Sequence, residues 1–204
     1  MDNKNSWLPT SVEKIKNSFK FECSDVLKKN LAYNIQYLQF LLKNIEEEET
    51  TTVLYRMRYK TFIVTCMSII EAVFIALLDE RNLIPIISWK DGEHKYRSID
   101  DNTDEVYFKR KKADPRKKII SLDEATNLIE KNNILNDKND YSSAIRLLRD
   151  LRNHLHLNKA QELSNSDYNN FTKDSYYLSK LVFLNIMMDD SISVDKEYLE
   201  FIKL

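Results

Sequence analysis

A single glycine, Gly92, in 204 residues is the feature that most constrains the fold of this chain. Glycine-rich phosphate loops, dinucleotide-binding turns and the tight hairpins of turn-dense β folds need φ > 0 at several positions, where a Cβ would clash. A chain with one glycine and three prolines has to reverse direction mostly at helix ends, so an all-α class is expected. At 24.3 kDa the chain is the size of one domain, 1–204, able to bury roughly 70% of its unfolded surface. Its 31 basic and 32 acidic residues nearly cancel, so any affinity for nucleic acid has to come from a local patch. Cys23 and Cys66 lie far apart and no apolar signal segment opens the sequence, which points to a reduced, cytoplasmic protein without a disulfide framework. Three histidines and two cysteines offer no zinc-finger or HExxH spacing, so neither a metal nor a cofactor is expected.

Apolar periodicity sets out the helices. Thr10-Ser11-Val12-Glu13 reads as a capping box for a short first helix. From Ser24 to about Glu48, apolar residues recur at Leu27, Leu31, Ile35, Leu38, Leu42 and Ile45, the spacing of an amphipathic helix. Thr50-Thr51-Thr52 interrupts it, and a second long helix follows from about Val53 to Asp79, making an antiparallel hairpin. Phe62 to Leu78 is apolar almost all round, yet Glu71 at its middle favours a central core helix over a membrane span. Between Leu83 and Ile120 the period changes. Pro85, Trp89-Lys90-Asp91-Gly92 and Ala113-Asp114-Pro115 are turn signals flanking strand-like runs such as Glu105 to Phe108, which predicts a small β-hairpin insertion at about 83–120. Ser121-Leu122-Asp123-Glu124 is a second capping box, opening a helix to about Lys131. An Asn-rich linker, Asn132 to Asn139, leads to a helix capped by Asp140 that runs from Tyr141 to near Asn158. A helix from about Asp167 to Met188 and a short one from about Val194 complete the pattern.

The helix after Tyr141 carries the candidate chemistry. At about 100° per residue, Leu147, Leu148, Leu151 and Leu155 cluster on one side, while Arg149, Arg152, Asn153 and His156 share a sector on the other. Arginines opposite a leucine stripe are often just a solvated face. Here, however, two of three histidines, His154 and His156, fall beside an Arg-Asn pair, which helix propensity does not ask for. His154 sits nearer the leucines, so the helical wheel favours His156 as the exposed imidazole and leaves His154 as the alternative. Glu71 is the other singular residue: a carboxylate in an apolar helix has to meet a cation or open to a cleft. Arg149 or Arg152 would make it part of a site, and Arg56 or Arg58 would make it a structural pair. Lys109, Arg110, Lys111, Lys112, Arg116, Lys117 and Lys118 put seven cations in ten residues of the presumed hairpin, either a solvated loop or a guide for an RNA backbone.

Arg149 to His156, or Arg149 to His154, resembles the R-x(4-6)-H signature of HEPN (higher eukaryotes and prokaryotes nucleotide-binding) domains at its long or short end. Two long helices, the second with Ser-Ile-Ile-Glu-Ala at Ser68 to Ala72, precede the motif helix and another follows, which is similar to the HEPN antiparallel helical bundle over roughly Ser24 to Met188. The resemblance implies either a metal-independent ribonuclease, often a toxin or an antiviral defence effector with an antitoxin or defence-system partner, or a non-catalytic module that binds nucleotide, RNA or protein. Members modified by a nucleotidyltransferase antitoxin carry a tyrosine two residues after the histidine; Asn158 stands there relative to His156, so that modification is not expected. RNA cleavage through the 2′-hydroxyl needs a base, an acid and cations around the phosphorane, roles suited to histidine and arginine. One well-placed histidine per chain supplies half of the acid-base pair, so a homodimer is expected.

Overall fold

The computed structural model describes residues 9–47, 51–91, 110–136, 141–153 and 167–202. Among them the chain is mostly helical with one two-stranded antiparallel sheet. The elements are α1 (Val12–Ser18), α2 (Asp25–Glu47), α3 (Thr52–Glu80), β1 (Ile86–Asp91), β2 (Arg110–Lys117), α4 (Leu122–Lys131), α5 (Tyr141–Asn153), a 3-10 turn (Asp167–Asn170), α6 (Lys173–Met187) and α7 (Lys196–Leu199).

Helix α3 is central and packs against α2, α4, α5 and α6. Its buried side includes Phe62, Ile63, Met67, Ile70, Phe74 and Leu77. By length and composition it could cross a membrane, but 61% of its most apolar window is buried inside the protein. The threonine run ends one helix and starts the next: Thr51 caps α3 by accepting from the Leu54 N–H at 3.4 Å. Helices α2 and α3, close together in sequence, pack against each other as the expected hairpin requires. Leu31, Ile35, Leu38, Leu42 and Ile45 of α2 are all buried.

The expected capping box at Thr10 to Glu13 does not form. The Ser11 side chain makes no cap bond, and Glu13 turns to Lys16 at 3.6 Å. Thr10 instead serves Gln39, whose buried amide accepts from the Thr10 N–H and donates to the Thr10 hydroxyl, each at 2.9 Å. Satisfying a buried amide outweighs a local cap on a seven-residue helix. At Ser121 the box is complete: Ser121 Oγ accepts from the Glu124 N–H, and Glu124 accepts from the Ser121 N–H at 3.0 Å.

Asparagine does what the scarce glycine does elsewhere. Asn82 and Asn133 take φ of 55° and 48° after α3 and α4, and the following N–H groups return to Leu78 O at 2.8 Å and Ile129 O at 3.1 Å.

The hairpin insertion is present, with changed boundaries. Glu105 to Phe108, read as a strand, lies outside the described residues. The Ala113-Asp114-Pro115 turn signal is inside β2, and Trp89 to Asp91 are inside β1. Ile87 faces Arg116 and Trp89 faces Lys112, so the one residue between them on β1 opposes three on β2. Such a bulge accommodates a proline that has no N–H to give the ladder. The last expected long helix also starts later than Asp167: Thr172 caps α6 by accepting from the Ser175 N–H at 3.2 Å, after the 3-10 turn and buried Phe171.

Candidate functional site

An open cleft of about 620 Å³ lies where α3, α4 and α5 meet. Helix α3 contributes Val64, Ser68 and Glu71, a helical face with spacing i, i+4, i+7. The start of α4 contributes Ser121, Leu122 and Asp123, held there by the capping box. Helix α5 contributes Arg149, Arg152 and Asn153. Four residues singled out from sequence, Glu71, Arg149, Arg152 and Asn153, therefore share one cavity. His154 and His156 lie outside the described residues, as does Leu155.

Glu71 accepts from Arg152 Nη1 at 2.6 Å. The two side chains are 26% and 29% exposed, so the pair sits at the cleft wall, neither sealed in the core nor free in solvent. Of the partners weighed for Glu71, Arg56 donates instead to Asn169 Oδ1 at 2.7 Å and Arg58 to the Asn44 carbonyl at 2.6 Å. Arg149 is shared by two carboxylates: its Nε and Nη2 reach Asp150 Oδ1 at 3.2 and 2.8 Å, and its Nη1 pairs with Asp123. The hydrogen bond to Asp150, with help from the charge of Asp123, holds the Arg149 pKa above its ordinary value against a smaller opposing effect of desolvation.

The orientation of α5 differs from the expected one. Ser142, Ile145 and Leu148 form its buried face, Leu151 is half-buried, and Leu147 is 55% exposed. Arg149 and Arg152 continue the Ser142 and Ile145 stripe at i, i+3, i+7 and i+10 spacing, so they point toward α3 and α4 instead of away from the core. Of the expected leucine side, Leu148 and Leu151 do pack inward and only Leu147 is turned out, because the buried face continues from Ser142 and Ile145 into a cleft, where it becomes polar.

The basic run is divided. Arg110 and Lys111 are in β2, Lys112 and Arg116 are exposed, and the side chains of Lys109, Arg110 and Lys111 are outside the described set. Lys117 pairs with Asp79 and Lys118 with Glu124, so these two anchor the hairpin to α3 and α4. The Lys118 N–H also donates to Pro85 O at 2.7 Å. Three residues beyond Lys118 the chain reaches Ser121, at the cleft itself.

Asp123 was not distinguished by its sequence. It sits inside a capping box that already explains an acidic first turn, and only tertiary packing brings it to Arg149. Ser68, a mid-helix serine that donates to the Val64 carbonyl at 2.9 Å, and Ser121, which the capping box accounts for, carry no separate site signal in the sequence either. No protein-family model, curated protein or solved structure matches the chain.

Proposed function

We propose that the chain is a HEPN-type, metal-independent endoribonuclease that works as a cytoplasmic homodimer and serves as a toxin or antiviral defence effector under the control of an antitoxin or defence-system partner. One observation carries this reading: Glu71 and Arg152, 81 positions apart, form an ion pair in an open cleft that also holds Arg149 and Asn153. In the proposed reaction a histidine, His156 or His154, takes the proton of an RNA 2′-hydroxyl. The 2′-oxygen attacks phosphorus, the bond to the 5′-oxygen breaks, and a second histidine from the partner chain protonates that leaving oxygen. Arg149 and Arg152 offset charge on the phosphorane, Glu71 fixes the Arg152 fork, and Asn153 offers an amide to the phosphate or ribose. Lys112 and Arg116 lead the RNA backbone along the hairpin.

The test is cleavage of end-labelled single-stranded RNA in EDTA. Products ending in 2′,3′-cyclic phosphate, intact DNA, and loss of cleavage in His156→Ala are the expected results, and an excess of His156→Ala chains should suppress wild-type cleavage through mixed dimers. Mg²⁺-dependent cleavage leaving 5′-phosphates overturns the mechanism, and loss of cleavage only in His154→Ala moves the role to His154.

A second reading, a non-catalytic module of the same type that binds nucleotide, RNA or protein, is favoured by the charge around the cleft. Glu71 and Asp123 line the cleft with the two guanidiniums, and Asp150 beside it adds a third carboxylate on Arg149. RNA binding without cleavage in the same assay selects it.

A further inference from the structure

We propose that Asp123 sets how strongly the cleft takes a phosphate, because its carboxylate holds the Arg149 guanidinium edge that a phosphate would occupy and must be displaced for a phosphate to bind. This rests on reading the cleft as an RNA site. Arg149 has five N–H donors on a planar fork, and two carboxylates from different helices already engage it. Asp150 is the next residue on α5, with its side chain 56% exposed, and it is not among the residues that line the cleft. Asp123 does line it, so it is the carboxylate a phosphate entering the cleft meets.

Nothing in the start of α4 requires this particular contact. Ser121 and Glu124 close the capping box between themselves, and Lys118 fastens Glu124. Asp123, at the second helical position, is left to face α5. Arg152 is differently placed, since Glu71 emerges from the middle of α3 and is held by the central helix. The two arginines of the cleft are therefore unequal. Arg152 is fixed by its carboxylate, while Arg149 is held by a carboxylate at a helix start that a phosphate can replace. A phosphate oxygen makes the same charge-assisted hydrogen bond as a carboxylate oxygen, so the exchange conserves the bond and leaves Asp123 to be solvated. Until Asp123 moves, its charge repels the incoming phosphate.

Asp123→Asn keeps the side-chain shape and removes the charge. The experiment measures binding of an all-2′-deoxy single strand, which cannot be cleaved through a 2′-hydroxyl, and separately of inorganic phosphate, with melting temperature as the control for folding. Asp123→Asn should tighten both by about two- to fivefold, the range of a partly exposed ion pair, and the gain should disappear in an Arg149→Gln background. Unchanged or weaker phosphate binding by a variant that melts like wild type overturns the proposal, and so does a gain that survives Arg149→Gln. Tighter phosphate binding with no oligonucleotide binding supports the role of Asp123 and overturns the RNA reading of the cleft. Failure of wild type and variant alike to bind either probe overturns both.

Discussion

Helix α3 carries two unlike neighbourhoods on opposite sides. Its Val64, Ser68 and Glu71 side opens to the charged cleft, where each arginine is met by carboxylate. Its Tyr55 and Tyr59 side faces α6 across a cavity of about 290 Å³ lined also by Ile45, Lys173, Tyr176, Tyr177 and Lys180. There the rings stack on one another: Tyr59 and Tyr176 have centroids 4.7 Å apart at 21°, and Phe62 meets Tyr176 edge-on at 5.0 Å. Lys180 is only 3% exposed, with its ammonium 5.5 Å from the Tyr176 ring centroid. Rings bring large buried area and cation-π attraction, whereas ion pairs at a wet cleft wall contribute little net stability. The contrast assigns folding stability to the tyrosine side of α3 and leaves the glutamate side to the proposed RNA site.

Truncating a ring is the strongest way to break that contrast. Tyr176→Ala should cost about 3 kcal/mol of unfolding free energy, as removal of a buried ring does, and Tyr176→Phe should keep most of it because the stacking survives. Urea denaturation measures both, and a Tyr176→Ala loss no larger than that of an exposed substitution would end the assignment. On the other side of the helix, Glu71→Gln should lower RNA cleavage by about tenfold or more through a misaligned Arg152, while shifting stability by no more than about 1 kcal/mol. Single-turnover cleavage beside a urea titration checks this, and a variant that loses stability without losing rate would make Glu71 structural.

The smallest effect sharpens the comparison at the hairpin anchor. Lys118, together with the Ser121 N–H, holds the Glu124 carboxyl below its ordinary value. A carboxylate depressed in the folded state stabilises above its unfolded value of about 4.3 and loses that contribution as pH falls through the folded value. Glu124→Gln should therefore melt slightly below wild type at pH 7 and converge with it in acid. Melting curves across pH 3 to 7 decide it, and a gap that persists at the acid end would point to lost capping geometry in place of charge.

The parts of this molecule legible in sequence are those governed by local chemistry. The α2 stripe, the α2 to α3 reversal and the Ser121 box follow from spacing and capping alone, and the structure contains all three. The convergence of Glu71 with Arg152 was legible because a carboxylate in an apolar helix demands a partner, although Arg56 and Arg58 were equally available by sequence. Three expectations failed where a distant group competed. Gln39 drew Thr10 away from its box, the bulge absorbed Ala113 to Pro115 into a strand, and the packing of α5 against α3, α4 and α6 left Leu147 outside. Asp123 was invisible for the converse reason, since a local role explained it completely.

The bulge in β2 bears on how the protein behaves at high concentration. Among the described residues the two-stranded ribbon has no further strand on either outer row of peptide groups, and it also exposes Ile86 and Trp89, so a flat hairpin would be a template for strands of other molecules. Pro115 withholds a donor, the three-residue excursion bends the outer row out of register, and Lys112 and Arg116 add like charge to any docking copy. The irregularity that hid this strand from its sequence pattern also guards it against runaway edge-to-edge assembly.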